Sequence, residues 1–122
     1  MKTKYVIYGY EWSTDEKGAA PEINYYRVAQ VNYTEHDDLK MAIHSDFTMW
    51  RHNARERVWK EITRSMKLSE WGTGELMTYI RSFEKNVIAH WYFLTEEEFQ
   101  EWVAWAEEGH DEVEVCSIQF NG

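Results

Sequence analysis

Five histidines (His36, His44, His52, His90 and His110) and one cysteine, Cys116, are the side chains best suited to metal binding or nucleophilic chemistry. His36, His44 and His52 are eight residues apart in a stretch of helical periodicity. Eight helical residues turn by about 80°, so the three rings fan out and do not converge as an i, i+4 pair would. His110-Asp111-Glu112 occupy adjacent positions, and three adjacent side chains rarely point at one ion. No His-Glu-x-x-His, cysteine pair or calcium loop occurs. We therefore expect no metal and no cofactor. Cys116 has acids and no cations in its region, which raises a thiol's pKa and favours a small buried hydrophobe over a nucleophile. Glu97 and Glu101 have a spacing compatible with acid–base work, but a solvated helix face is the plainer account. Gly72-Thr73-Gly74 lacks the lysine and hydroxyl residue of a phosphate loop. No catalytic constellation assembles, and the expectation is a protein that is not an enzyme.

Charge is more informative than chemistry. The formal net charge of the 122 residues is −9, and residues 86–122 hold nine acidic side chains with no Lys or Arg. Residues 51–85 are net basic, with eight cations against five acids. Two candidate surfaces follow. The acidic one spans residues 95–114 and comprises Glu96, Glu97, Glu98, Glu101, Glu108, Asp111 and Glu112, with Glu107 and Glu114 beside them. Trp105 belongs with it, because it lies about 240° from Phe99 around a helix and so off the apolar stripe. An outward tryptophan among carboxylates resembles an interface anchor, and close-spaced carboxylates can stand in for a row of phosphates. The basic one, Arg51, Arg55, Arg57, Lys60 and Arg64, could contact phosphates.

These residues need elements to hold them. Lys4–Trp12 and Ile23–Tyr33 alternate at period two and read as an antiparallel strand pair joined by a polar loop containing Pro21. Arg27 interrupts the apolar face of the second strand, which suggests a partly wet edge. Thr34-Glu35-His36-Asp37 has the form of a capping box. The stripe Leu39, Ile43, Phe47, Trp50, Ala54, Val58 and Ile62 then predicts one helix, or two split at Ser45-Asp46. Gly72-Thr73-Gly74 reads as a break, and Glu75–Phe83 and Val87–Leu94 as a second strand pair. Val87–Leu94 is apolar on both faces, as a central strand would be. Leu94-Thr95-Glu96-Glu97-Glu98-Phe99 combines a capping box, Thr95 with Glu98, and a hydrophobic staple, Leu94 with Phe99. That helix should end at Gly109. Glu112–Phe120 is the last strand, and its apolar phase slips after Val115, which predicts either a bulge or burial on both faces. The expected architecture is one α+β domain over residues 1–122. Its order is strand-strand-helix-strand-strand-helix-strand, with an antiparallel or mixed sheet and helices packed on one face.

Composition sets the remaining bounds. Aromatics make up 16% of the chain, enough to exclude a disordered class. No apolar run reaches the roughly 18 residues of a membrane span. Met1–Val6 runs into a strand pattern and not a leader, and one cysteine cannot form an internal disulfide, so a reducing, cytoplasmic setting is expected. The preferred reading is a small acidic binding protein whose partner is a protein with a basic groove. By size and charge alone it resembles, as a class, bacteriophage antidefence inhibitors, nucleic-acid mimics and toxin immunity proteins. Two alternatives stand beside it. One is a nucleic-acid-binding module using the basic helix. The other is a ligand-binding domain or enzyme with a pocket of Tyr8, Tyr10, Tyr26, Trp91 and Tyr92 near His90. The complementary basic and acidic stretches also allow a salt-sensitive homodimer.

Overall fold

A computed structural model describes residues 1–12, 23–65 and 67–119. The expected Pro21 loop and Phe120 lie outside these residues. Strands β1 (Lys2–Trp12) and β2 (Ile23–Tyr33) are followed by helix α1 (His36–Ser65), a short 3₁₀ turn (Leu68–Glu70) and helix α2 (Thr73–Lys85). Then come β3 (Val87–Leu94), α3 (Glu96–Glu107) and β4 (Val113–Gln119). The sheet order is β3-β1-β2-β4. β1 pairs antiparallel with both neighbours, and β2 pairs parallel with β4, so this α+β domain has a mixed sheet.

Three sequence expectations are corrected. Residues 75–83 form a helix and not a strand. Leu76, Tyr79, Ile80 and Phe83 fall at i, i+3, i+4 and i+7, a helical stripe obscured by the β-prone run Met77–Ile80. Gly72 is the N-cap of that helix, so the Gly-Thr-Gly break is a helix start. With residues 75–83 helical, β3 pairs only with β1 among the described residues and is an edge strand, not a central one. Finally, the helices lie on both faces of the sheet, because successive strand residues point to opposite sides. On one face Val6, Tyr8, Tyr10, Trp12, Ala29 and Val31 pack with the α1 stripe and with Phe83. On the other, Ile7 and Val28 pack with Leu94, Phe99 and Val113, under α3.

Helix α1 is continuous through Ser45-Asp46. Its first backbone bonds, from Asp38 and Leu39, reach Glu35 O, one residue past the expected Thr34 cap. β4 pairs with β2 from Tyr26↔Val113 to Asn32↔Gln119 without a skipped residue. Its phase slip is therefore not a bulge, and its second half is not buried on both faces either: Val113 packs under α3, Cys116 and Ile118 face α1 half-buried, and Val115, Ser117 and Gln119 are exposed. The capping box at Thr95 is present in full, with Glu98 N donating to Thr95 Oγ1 at 3.1 Å and Thr95 N donating to Glu98 Oε1 at 3.0 Å. Leu94 and Phe99 are buried in one cluster, as a hydrophobic staple requires.

Tyr8 is fully buried, and its hydroxyl makes no hydrogen bond of ordinary geometry among the described residues, although the Asp46 carboxylate is close enough to act on it. Burial, followed by the carboxylate of Asp46, holds the phenol far above its ordinary pKa. A buried hydroxyl left unpaired costs about 1–3 kcal/mol. Tyr8→Phe is thus expected to raise the unfolding free energy by about 1 kcal/mol in urea denaturation. A loss of similar size would mean that the hydroxyl is satisfied.

Candidate functional site

Helix α3 presents the acidic surface. Its cap and staple fix where the helix starts, and Phe99 anchors it against Ile7 and Val28. Glu96, Glu97 and Glu101 then face solvent, and none of them forms an ion pair among the described residues. Glu98 is exposed too, but one oxygen serves the cap. Three glutamates in the first turn suit the positive end of the helix dipole. Trp105 is 46% exposed, and its ring lies flat on His110 at 3.7 Å between centroids. His110 is in turn held by Glu112 (Nδ1–Oε1 3.2 Å) and sits 3.8 Å from Glu108. Glu108, His110 and Glu112 thus brace the tryptophan. Asp111 is exposed beside them.

Two residues that the acidic-surface reading omitted complete the site. Trp102 is only partly buried and stacks against Tyr26 of β2 at 5.3 Å. Tyr26 donates to Glu11 Oε1 at 2.8 Å, which fixes its ring. Tyr26, Trp102 and Trp105 form a shallow groove of about 510 Å³ with Glu101 and Glu112 on its rim. The i, i+4 spacing of Glu101 and Trp105 sets a carboxylate next to the outward indole. From the sequence alone Tyr26 belongs to the expected aromatic pocket near His90 and not to the acidic surface. Its place in the groove depends on the parallel pairing that sets Val113 beside it.

The basic residues of α1 are mostly engaged within the fold. Arg55 pairs with Glu84, and Arg64 with Glu61 at 2.7 Å. Arg57 stacks over the Tyr25 ring at 4.2 Å, and Arg51 over Phe47 at 5.7 Å. Lys60 is exposed.

Arg27 is not at a wet edge, because β2 lies between β1 and β4. It sits beneath α1, where Asp46 receives two hydrogen bonds of 3.0 Å and Glu114 lies 3.1 Å away. Burial works against its charge, but Asp46, with Cys116 and Glu114, more than offsets this and raises its pKa. The pair forms the floor of a cleft of about 470 Å³ between α1 and the α3–β4 turn, lined also by Arg57, His110 and Asp111. Cys116 lies on the same face. Burial pushes its thiol up to about 11, with Arg27 acting in the opposite direction and Asp46 and Glu114 adding to the rise.

The expected aromatic pocket does not come together. Tyr8, Tyr10 and Trp91 point to the α1 face, and Tyr26 and Tyr92 to the other. His90 lies flat over Gly9, where an added Cβ would come within 2.8 Å of the ring, and it stacks with Tyr92 at 6.0 Å. Among the described residues no group of His, Cys, Asp or Glu is arranged to hold a metal ion, and no helix is long and apolar enough to cross a membrane. Compared with known proteins, the chain matches no family model, no curated protein and no solved structure.

Proposed function

We propose that the chain is a non-enzymatic binding protein whose α3 face engages a cationic groove on another protein, acting as an inhibitor or nucleic-acid mimic. The observation that carries this reading is the groove itself, in which two indoles and a phenol stand beside the carboxylates of Glu101 and Glu112. An arginine or lysine entering it meets aromatic faces and carboxylates together. A cation over an indole contributes about 0.5–2 kcal/mol, and charge-assisted hydrogen bonds to carboxylates are roughly twice as strong as neutral ones. The cation-free flank of Glu96, Glu97 and Asp111 steers a basic partner toward it. The basic face of α1 is a weaker candidate, since forming a phosphate contact there means giving up pairings with Glu61, Glu84 or ring faces.

An arginine-rich peptide titrated by calorimetry tests this. Reversing Glu101 and Glu112 together to lysine is expected to weaken binding by about 30-fold or more, about 2 kcal/mol. Reversing Glu70 and Glu75 makes the same change in net charge on the α2 side and should cost about threefold or less at moderate salt. Equal losses would reduce the effect to net charge and remove the site.

A further inference from the structure

We infer that β3 is a self-association edge, through which two copies of this chain pair antiparallel into one eight-stranded sheet. The inference does not depend on the proposed function.

Among the described residues, strand β3 has a neighbour on one side only. An edge strand exposes a row of backbone donors and acceptors, and proteins usually guard it with charge, proline or a bulge. Among the described residues β3 itself carries none of these guards, although Lys4 of β1 lies over the Phe93 ring at 5.8 Å. Residues 86–95 form the longest uncharged run in the chain and contain no proline. The pairing with β1 runs from Trp12↔Val87 to Tyr5↔Leu94 without a skipped residue, so no bulge turns the edge away. The opposite edge, β4, differs, because Glu112 and Glu114 stand at its start.

The strand is also where the apolar surface is left open. Ile88, Trp91, Tyr92 and Phe93 are 41–61% exposed, and they occur on both faces of the sheet. At 150–250 Å² for a large side chain they offer about 400 Å² per copy. Adding the backbone edge brings a symmetric pair to about 1,000 Å², the lower bound of a specific interface.

A second copy fits this edge for reasons of geometry. A two-fold axis normal to the sheet keeps each face on its own side, so one residue must stand opposite itself. Centring on His90 sets Ala89 against Trp91, Ile88 against Tyr92 and Val87 against Phe93 of the second copy. These are small-to-large and branched-to-aromatic cross-strand pairs, the kinds that stabilise sheets. Both α3 faces then lie on the same side of the joined sheet.

Sedimentation equilibrium of the full chain tests the pairing. A monomer–dimer equilibrium with a dissociation constant on the order of 10 µM is expected. Added salt should leave it unchanged or tighten it, because the contact is apolar and the copies share a net negative charge. Ile88→Lys with Tyr92→Lys should leave a monomer, with circular dichroism confirming that the fold persists. Ile88→Lys with Tyr92→Glu sets opposite charges across the His90-centred register and should restore the dimer. A monomer at concentrations on the order of 100 µM would overturn the inference and leave the edge for a strand of another protein. So would a dimer indifferent to both variants, or one that salt dissociates, as pairing of α1 with the acidic third would predict.

Discussion

Phe99→Ala is expected to lower the unfolding free energy by about 3–5 kcal/mol, the usual cost of truncating a buried phenylalanine. Phe99 is the only residue of α3 that is fully buried, and its partners Ile7, Val28, Leu94 and Val113 make up the smaller of the two cores. It also stacks with Tyr5 at 4.7 Å. Among the described residues no second helix covers that face, and the other α3 side chains packed there, Trp102, Val103 and Ala106, are only partly buried. The substitution should therefore release α3 before the rest of the molecule unfolds. Hydrogen exchange would read this as lost protection at 96–107 while β1 and β2 remain protected. Binding of an arginine-rich peptide should fall with it, since the groove needs α3 seated beside Tyr26. Trp105→Ala separates the two effects: it should cost under about 1 kcal/mol of stability, because the indole is exposed, yet weaken binding by about tenfold or more. Unchanged exchange at α3 in Phe99→Ala would mean that the helix is held by something other than this contact.

Arg27→Met carries the second-largest effect, an expected loss of about 2–3 kcal/mol in chemical denaturation. Removing one member of a buried ion pair costs about 3–5 kcal/mol because the partner's charge is left behind. The figure here is lower because the side chains of Arg27 and Asp46 keep 17% and 22% exposure to water. Methionine fills much of the same space, which isolates the charge from the volume. Arg27→Lys should recover less than half, since an ammonium cannot reproduce the two parallel hydrogen bonds to Asp46. Glu114→Gln should change stability by about 0.5 kcal/mol or less, because Glu114 is more than half exposed. A loss as large as that of Arg27→Met would place Glu114, and not Asp46, as the principal partner.

Local signals account for what the sequence revealed. The Thr95 and Glu98 cap, the Leu94 and Phe99 staple and the glycine stop at Gly109 are contiguous, so α3 and its outward carboxylates could be read directly. The stripe of α1 was equally legible because seven apolar positions repeat at helical steps. Helix α2 was misread because Met77–Ile80 is β-prone, and only the i, i+7 spacing of Leu76 and Phe83 tells otherwise. Strand order was out of reach. β3 and β4 are both rich in apolar residues, and that these two stand at the edges follows only from long-range pairing. The same holds for Arg27, whose partners are 19 and 87 positions away, and for Tyr26, brought to Trp102 only by the fold. The carboxylates of the site were therefore visible, and its aromatic wall was not.

The central claim is that the groove of Tyr26, Trp102 and Trp105 takes a cationic side chain. The seven tryptophans give seven indole N–H probes for NMR during titration with an arginine-rich peptide. The account predicts saturable shifts at Trp102 and Trp105, with the buried Trp12 and Trp50 unmoved. Shifts of equal size at Trp59 and Trp91, or no saturation at any indole, would contradict it.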